Sequence, residues 1–162
     1  MKNRDISTFL KSLKKKDFSR ETICKIPSSS GVYFVFRPHR NKPKFLRKST
    51  GRWFRGKDPS ISKKELMQYW DSASNIFDKT DVLYVGKAKN LRERIKRYWK
   101  FGEGKPVAHW GGRYIWQIKY SKNFLLAWKK TKDDTRAGKL EGKLLAQFKK
   151  EYGCLPFANL RR

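Results

Sequence analysis

Acidic residues and cysteines are the scarce components of this chain, and each shortage excludes something. Of 162 residues only 14 are Asp or Glu, against 41 Lys or Arg, which leaves a formal charge of +27. A polyanionic partner accounts for so large a self-repulsion, and nucleic acid is the common one. A membrane surface is the weaker candidate. Cys24 and Cys154 stand alone, with no C-x-x-C pair and no four-ligand zinc set alongside His39 and His109. They read as two free thiols in a reducing compartment. No run approaches the ~20 apolar residues of a spanning helix. The basic amino terminus lacks the apolar core of a secretory signal, so the expected location is cytoplasmic or nucleoid-associated, not secreted.

What is present is aromatic. Six Trp, seven Tyr and eleven Phe, within a hydrophobic content of 38%, suffice for one modest core in a domain spanning 1–162. Residues 1–29 form a basic helical extension, with Ile6, Phe9, Leu10 and Leu13 at helical spacing over 5–16. Gly31-Val32-Tyr33 opens a first strand, and residues 81–85 form a second that closes at Gly86. Asn90 is a good N-cap for a helix over 90–100. Residues 113–120 alternate as a strand does, and 123–128 extend it or add another. Asp133 or Asp134 starts the last helix, striped by Leu140, Leu144, Leu145 and Phe148 and ended by Gly153. The fold class is therefore α+β (mixed α/β), with a small central three-stranded, mainly antiparallel sheet flanked by helices.

The run Tyr84-Val85-Gly86-Lys87, followed by Arg94 and Tyr98 four apart on the next helix, places a phenol at a strand end, a lysine in a turn and an arginine nearby. Two cations and a phenol can then converge on one phosphate. Glu141 borders the apolar stripe of the last helix, where a carboxylate is otherwise unwelcome; pairing with Lys139 or Lys143 is its ordinary alternative.

This ordered set resembles the GIY-YIG nuclease family. Gly31-Val32-Tyr33 matches its first motif, Tyr84-Val85-Gly86 its second, and Lys87, Arg94, Glu141 and Pro156-Phe157-Ala158-Asn159 follow in order. The likeness is greatest to the nuclease domain of the bacterial excision-repair protein UvrC. The resemblance implies a metal-dependent endonuclease acting on DNA, with Glu141 holding Mg2+ (or Mn2+) and water and phosphate oxygens completing the shell. It implies that Arg94 contacts the scissile phosphate, that Lys87 neutralises it, and that Tyr33 and Tyr84 hold or deprotonate the attacking water. Tyr98 is either part of that site or packing beside Ile95. Gly31, Gly86 and Asn159 support the site. His109, beside a Gly111-Gly112 turn, is structural by default and otherwise approaches the leaving group.

In that family the two tyrosine strands are joined closely; here they are about 50 positions apart, so residues 37–80 read as a large insertion. From Arg37 to Lys57 there are nine Lys/Arg and no acid. Arg37, Arg40, Arg47, Arg52 and Arg55, with Lys89 and Arg97 beyond, are candidate phosphate contacts, and Trp53, Phe45 or Phe54 candidate stacking partners for bases. Ser62-Lys63-Lys64-Glu65 is a capping box opening a short helix. Deleting 40–78 is expected to change DNA binding and spare the core. The competing function is a non-catalytic nucleic-acid-binding module that retains the fold; oligomeric state is left open.

Overall fold

The computed structural model describes residues 5–52 and 55–160. Its order is α1 (Ile6–Lys11), β1 (Lys16–Asp17), α2 (Arg20–Lys25), β2 (Gly31–Phe36), α3 (Lys63–Ser72), α4 (Ser74–Phe77), β3 (Val82–Ala88), α5 (Leu91–Gly102), β4 (Leu125–Lys130) and α6 (Asp134–Tyr152). All six residues of β2 are buried, as befits a central strand covered on both faces. β2 pairs antiparallel with β3 on one side and β4 on the other, and β1 adds to the free edge of β4.

The sheet therefore has four strands, in the order β1-β4-β2-β3, and not the three expected. The extra strand is two residues long, too short for an alternating pattern to register. Residues 113–120 are a second correction. Arg113–Gln117 is a 3-10 turn between left-handed Gly112 and, three residues later, left-handed Tyr120. Its Ile115, Trp116 and Ile118 are all buried, so the apparent alternation reflects a coiled segment sunk in the core. Only Ile118 makes a strand-like bridge, to Phe45.

Successive side chains of β2 point to opposite faces. Val32, Phe34 and Phe36 meet Leu144, Leu145 and Phe148 of α6, with Ile6 and Leu10 of α1 closing the edge. Tyr33 and Val35 face the other way, into a larger cluster built from α5, α3, α4 and the 3-10 turn. The amino-terminal helix is shorter than expected, because the chain turns at Ser12 to supply β1 and then α2. The caps are as the sequence suggests: Asn90 accepts from the Glu93 N–H, Asp133 from the Arg136 N–H, and left-handed Gly153 ends α6.

Opposite Val35 and Phe36, β3 carries one extra residue. This β-bulge lets Leu83 and Tyr84, adjacent in sequence, both join the cluster on the α5 side. Tyr84 is thereby aimed at the same space as Tyr33.

The long β2–β3 connection is structural in its second half. The Ser62 capping box is formed, and Leu66, Trp70 and Phe77 are buried in the main cluster with Phe45 and Phe157. Phe45 packs its ring 5.8 Å from that of Phe157, so it is core and not a base-stacking residue. Arg37 is a further correction to the phosphate-contact set. Its guanidinium is buried, donates to the carbonyls of Asn41, Phe77 and Thr80, and lies over the Trp70 ring. Those bonds tie the start of the connection to its end. Trp53 and Phe54 lie outside the described residues.

Candidate active site

Four elements bring their polar residues to one end of the sheet. Tyr33 comes from β2 and Tyr84 from β3, with ring centroids 5.7 Å apart. Arg94 comes from the first turns of α5, and Glu141 from the second turn of α6. Gly86, directly opposite Tyr33 in the ladder, is the floor between the two phenols. A Cβ there would come within 2.6 Å of the Tyr84 ring and 3.0 Å of the Tyr33 hydroxyl, so only glycine fits. Gly111 plays a similar part from above: a Cβ would sit 2.8 Å from the Tyr84 hydroxyl and 3.7 Å from the Arg94 guanidinium. Gly31 is held close to the Lys129 backbone and Leu91, which draws β4 and α5 towards β2.

Two clefts meet here. One, of about 410 Å³, is lined by Tyr84, Trp110, Arg113, Glu141 and Asn159. The other, of about 810 Å³, is lined by Tyr84, Lys87, Lys89, Arg94, Arg97 and Glu141. Tyr84 and Glu141 belong to both and form the saddle between them.

Glu141 is anchored by the backbone: one carboxylate oxygen accepts from the Lys87 N–H at 3.1 Å. Asn159 anchors the strand itself, accepting from the Val85 N–H at 2.9 Å and donating to the Val85 carbonyl at 2.7 Å. Together with the bond from the Ala158 N–H to the Leu83 carbonyl, this makes the carboxy-terminal segment a partner along β3, next to Tyr84.

Burial pushes the Tyr33 phenol well above its ordinary pKa of 10.0, the Tyr84 phenol adds to this, and the Arg94 charge opposes it. Tyr84 is raised for the same first reason, again against Arg94. Both hydroxyls therefore carry their protons at neutral pH. Burial works against the Arg94 charge, but the two phenols beside it outweigh that and raise its pKa. The Tyr33 hydroxyl is buried and makes no well-formed hydrogen bond among the described residues.

The remaining candidates separate. The Lys87 ammonium points to α6 and pairs with Asp134 at 2.8 Å, both side chains being about two-fifths exposed. The sequence reading named Asp134 only as a candidate start of the last helix, not as a site residue; Asp133 is the N-cap and Asp134 follows it. Tyr98 is fully buried, stacked on Phe18 and tilted against Trp116. Its hydroxyl has no partner among the described residues, and its full burial among aromatic rings places it in the core. His109 is buried against Tyr98. Burial drives its pKa well below 6.5 and the Arg94 charge adds to this; the Gly111 backbone compensates only partly, without a well-formed bond to either nitrogen. Lys89 and Arg97 are exposed at the larger cleft. Arg47, Arg52 and Arg55 are exposed along the connection. Arg40 is exposed beyond the end of β2 remote from Gly31, close enough to Arg37 and Tyr152 to influence their ionisation. Trp110 and Arg113 are cleft residues that the sequence reading passed over, with the Arg113 guanidinium 4.7 Å from the Trp110 ring centre.

Among the described residues, no group of three or more His, Cys, Asp or Glu side chains gathers as a metal cage. A divalent ion here would rely on Glu141 and on oxygens from water or substrate. That suits Mg2+, which keeps much of its hydration shell and needs few carboxylates.

A family model described as the GIY-YIG catalytic domain matches residues 75–153. That stretch holds Tyr84, Arg94 and Glu141, whereas Tyr33 and Asn159 lie outside it. No curated protein and no solved structure matches the chain. The similarity is to a catalytic domain of nucleases. Among the described residues, no helix is long and apolar enough to cross a membrane.

Proposed function

We propose that this protein is a GIY-YIG endonuclease that hydrolyses DNA phosphodiester bonds with a divalent metal ion, Mg2+ or Mn2+, at Glu141. The observation that carries the reading is the saddle, where Tyr84 and Glu141 border both clefts with Arg94 lining the larger one. A DNA strand laid across it presents one backbone phosphate to an acid, a phenol and a guanidinium at once.

Arg94 holds two non-bridging oxygens of that phosphate, since its guanidinium is planar and always charged. Glu141 would hold the divalent ion, and the chemistry the ion would supply when bound is Lewis-acid stabilisation of the charge on the phosphate. Tyr84, whose hydroxyl is protonated, donates to a phosphate oxygen or orients the attacking water. Tyr33 lies behind it and fixes the Tyr84 ring; to take a proton from water, its hydroxyl must first be stripped of its own by the gathered positive charge. Lys87 reaches the phosphate only by exchanging Asp134 for it, a small cost because exposed ion pairs are worth roughly 0–1 kcal/mol. Residues 37–80 are then an insertion that completes the core and carries Arg47, Arg52 and Arg55 on its surface.

Supercoiled-plasmid nicking with Mg2+ tests the proposal. Wild-type protein nicks, EDTA stops it, and Glu141→Ala and Arg94→Ala abolish it. Equal activity in all three proteins would expose a contaminant and overturn the reading. One observation favours the second reading, a binding module without catalysis: the complete burial of Tyr33. Tight DNA binding without any nicking would decide for it.

A further inference from the structure

The larger cleft does not end at Arg97. It shares Glu93 and Arg97 with a second cleft, of about 420 Å³, whose walls are Lys96, Lys100, Val107 and Ala108. That cleft in turn shares Lys96 and Lys100 with a third, of about 260 Å³, floored by Trp99 and Ile23 and rimmed by Arg20 and Lys105. Residues 93, 96, 97 and 100 recur at helical spacing, so they form one stripe on the outer face of α5, while Ile95 and Tyr98 bury the inner face.

The stripe is basic and weakly committed. Its acids are Glu93, 4.0 Å from Lys96, and Glu103, 3.6 Å from Lys105; such exposed pairs are easily exchanged for a phosphate. Among the described residues, neither Arg97 nor Lys100 is held in an ion pair. At about 1.5 Å of rise per residue, Arg94 and Lys100 lie on the order of 9 Å apart along α5. Measured along a duplex axis, where one strand carries a phosphate every ~3.4 Å, that spans roughly three nucleotides.

The geometry points to a DNA track along the outer face of α5, in which Arg97, Lys96 and Lys100 hold the backbone on one flank of the cleaved linkage and the strand leaves past the Trp99 cleft. This rests on the nuclease reading for its direction, but its test reads binding and needs no cleavage. Neutralising two phosphate contacts lowers the salt dependence of log K by about 2.

Fluorescence anisotropy of a labelled 20-base-pair DNA duplex, titrated at several salt concentrations, gives that slope. Lys96→Gln/Lys100→Gln is expected to lose close to two units of slope and to bind more weakly at low salt. Lys149→Gln/Lys150→Gln, two exposed lysines at the far end of α6, is expected to keep the wild-type slope. Thermal melts of both variants check folding. An unchanged slope in the first variant, or equal losses in the two, overturns the track, as does tighter binding of an RNA duplex. Failure of Glu141→Ala to alter nicking would sink the catalytic reading and leave the track standing.

Discussion

Glu141 of α6 accepts a hydrogen bond from the Lys87 backbone N–H, one residue beyond the glycine that separates Tyr33 from Tyr84. A helix carboxylate is thus pinned to the strand that carries a site phenol. Without that bond the acid would be one more surface glutamate in a lysine-rich helix.

Glu141→Gln should separate position from charge. The amide oxygen can still accept from the Lys87 N–H, so the melting temperature is expected to stay within a few degrees of wild type. Cleavage should fall by about 100-fold or more, the scale on which removal of one charge-stabilising group acts. A melting curve beside a single-turnover rate measurement checks both halves.

Tyr33→Phe should be nearly silent for stability and costly for activity. The hydroxyl is buried without a well-formed partner, so its removal leaves no new unsatisfied group, and the change is expected within ~1 kcal/mol. If that hydroxyl handles the proton of the attacking water, the rate falls by about 10²–10⁴. Denaturant unfolding and rate measurements on the same preparation supply the comparison.

His109 sets a pH dependence of stability. Its folded pKa is depressed by burial, so between that value and 6.5 the unfolded chain binds a proton that the folded one refuses. Its contribution is complete above pH 6.5 and is lost as the pH falls below it. Urea midpoints measured from pH 7.5 to 5 should decline for wild type, and His109→Phe should flatten that decline.

Residues 37–80 cannot be removed as an appendage. Trp70→Ala is expected to cost about 3–5 kcal/mol, as for other buried tryptophans. Deleting 40–78 should abolish the cooperative melt altogether, because Phe45, Leu66, Trp70 and Phe77 would leave the main cluster. Calorimetry of the two proteins decides it, and a sharp transition in the deletion would show the segment to be dispensable.

Legibility in the sequence followed locality. The caps at Asn90, Ser62, Asp133 and Gly153 are short-range chemistry and could be read directly. The tyrosine strands could be read from short apolar, β-branched runs, the second of them closing at Gly86. Two features could not. A two-residue edge strand carries no period, and the turn Arg113–Gln117 with the Ile118 that follows it mimics one because Ile115, Trp116 and Ile118 are all buried. The site divides in the same way. Tyr33, Tyr84, Arg94 and Glu141 were expected from their order along the chain, and the fold brings them near one another, whereas Asp134 beside Lys87 and Gly111 above Tyr84 depend on contacts between distant segments. Arg37 misled because a lone arginine in a basic run looks exposed, and only the returning end of the connection supplies the carbonyls that bury it.

The most direct test of the one-site claim is a crystal structure of the Glu141→Gln protein bound to a short DNA duplex. The expected result is a single backbone phosphate about 3 Å from both the Arg94 guanidinium and the Tyr84 hydroxyl, lying against residue 141. DNA bound elsewhere on the basic surface, with the saddle between the two clefts bare, would contradict it.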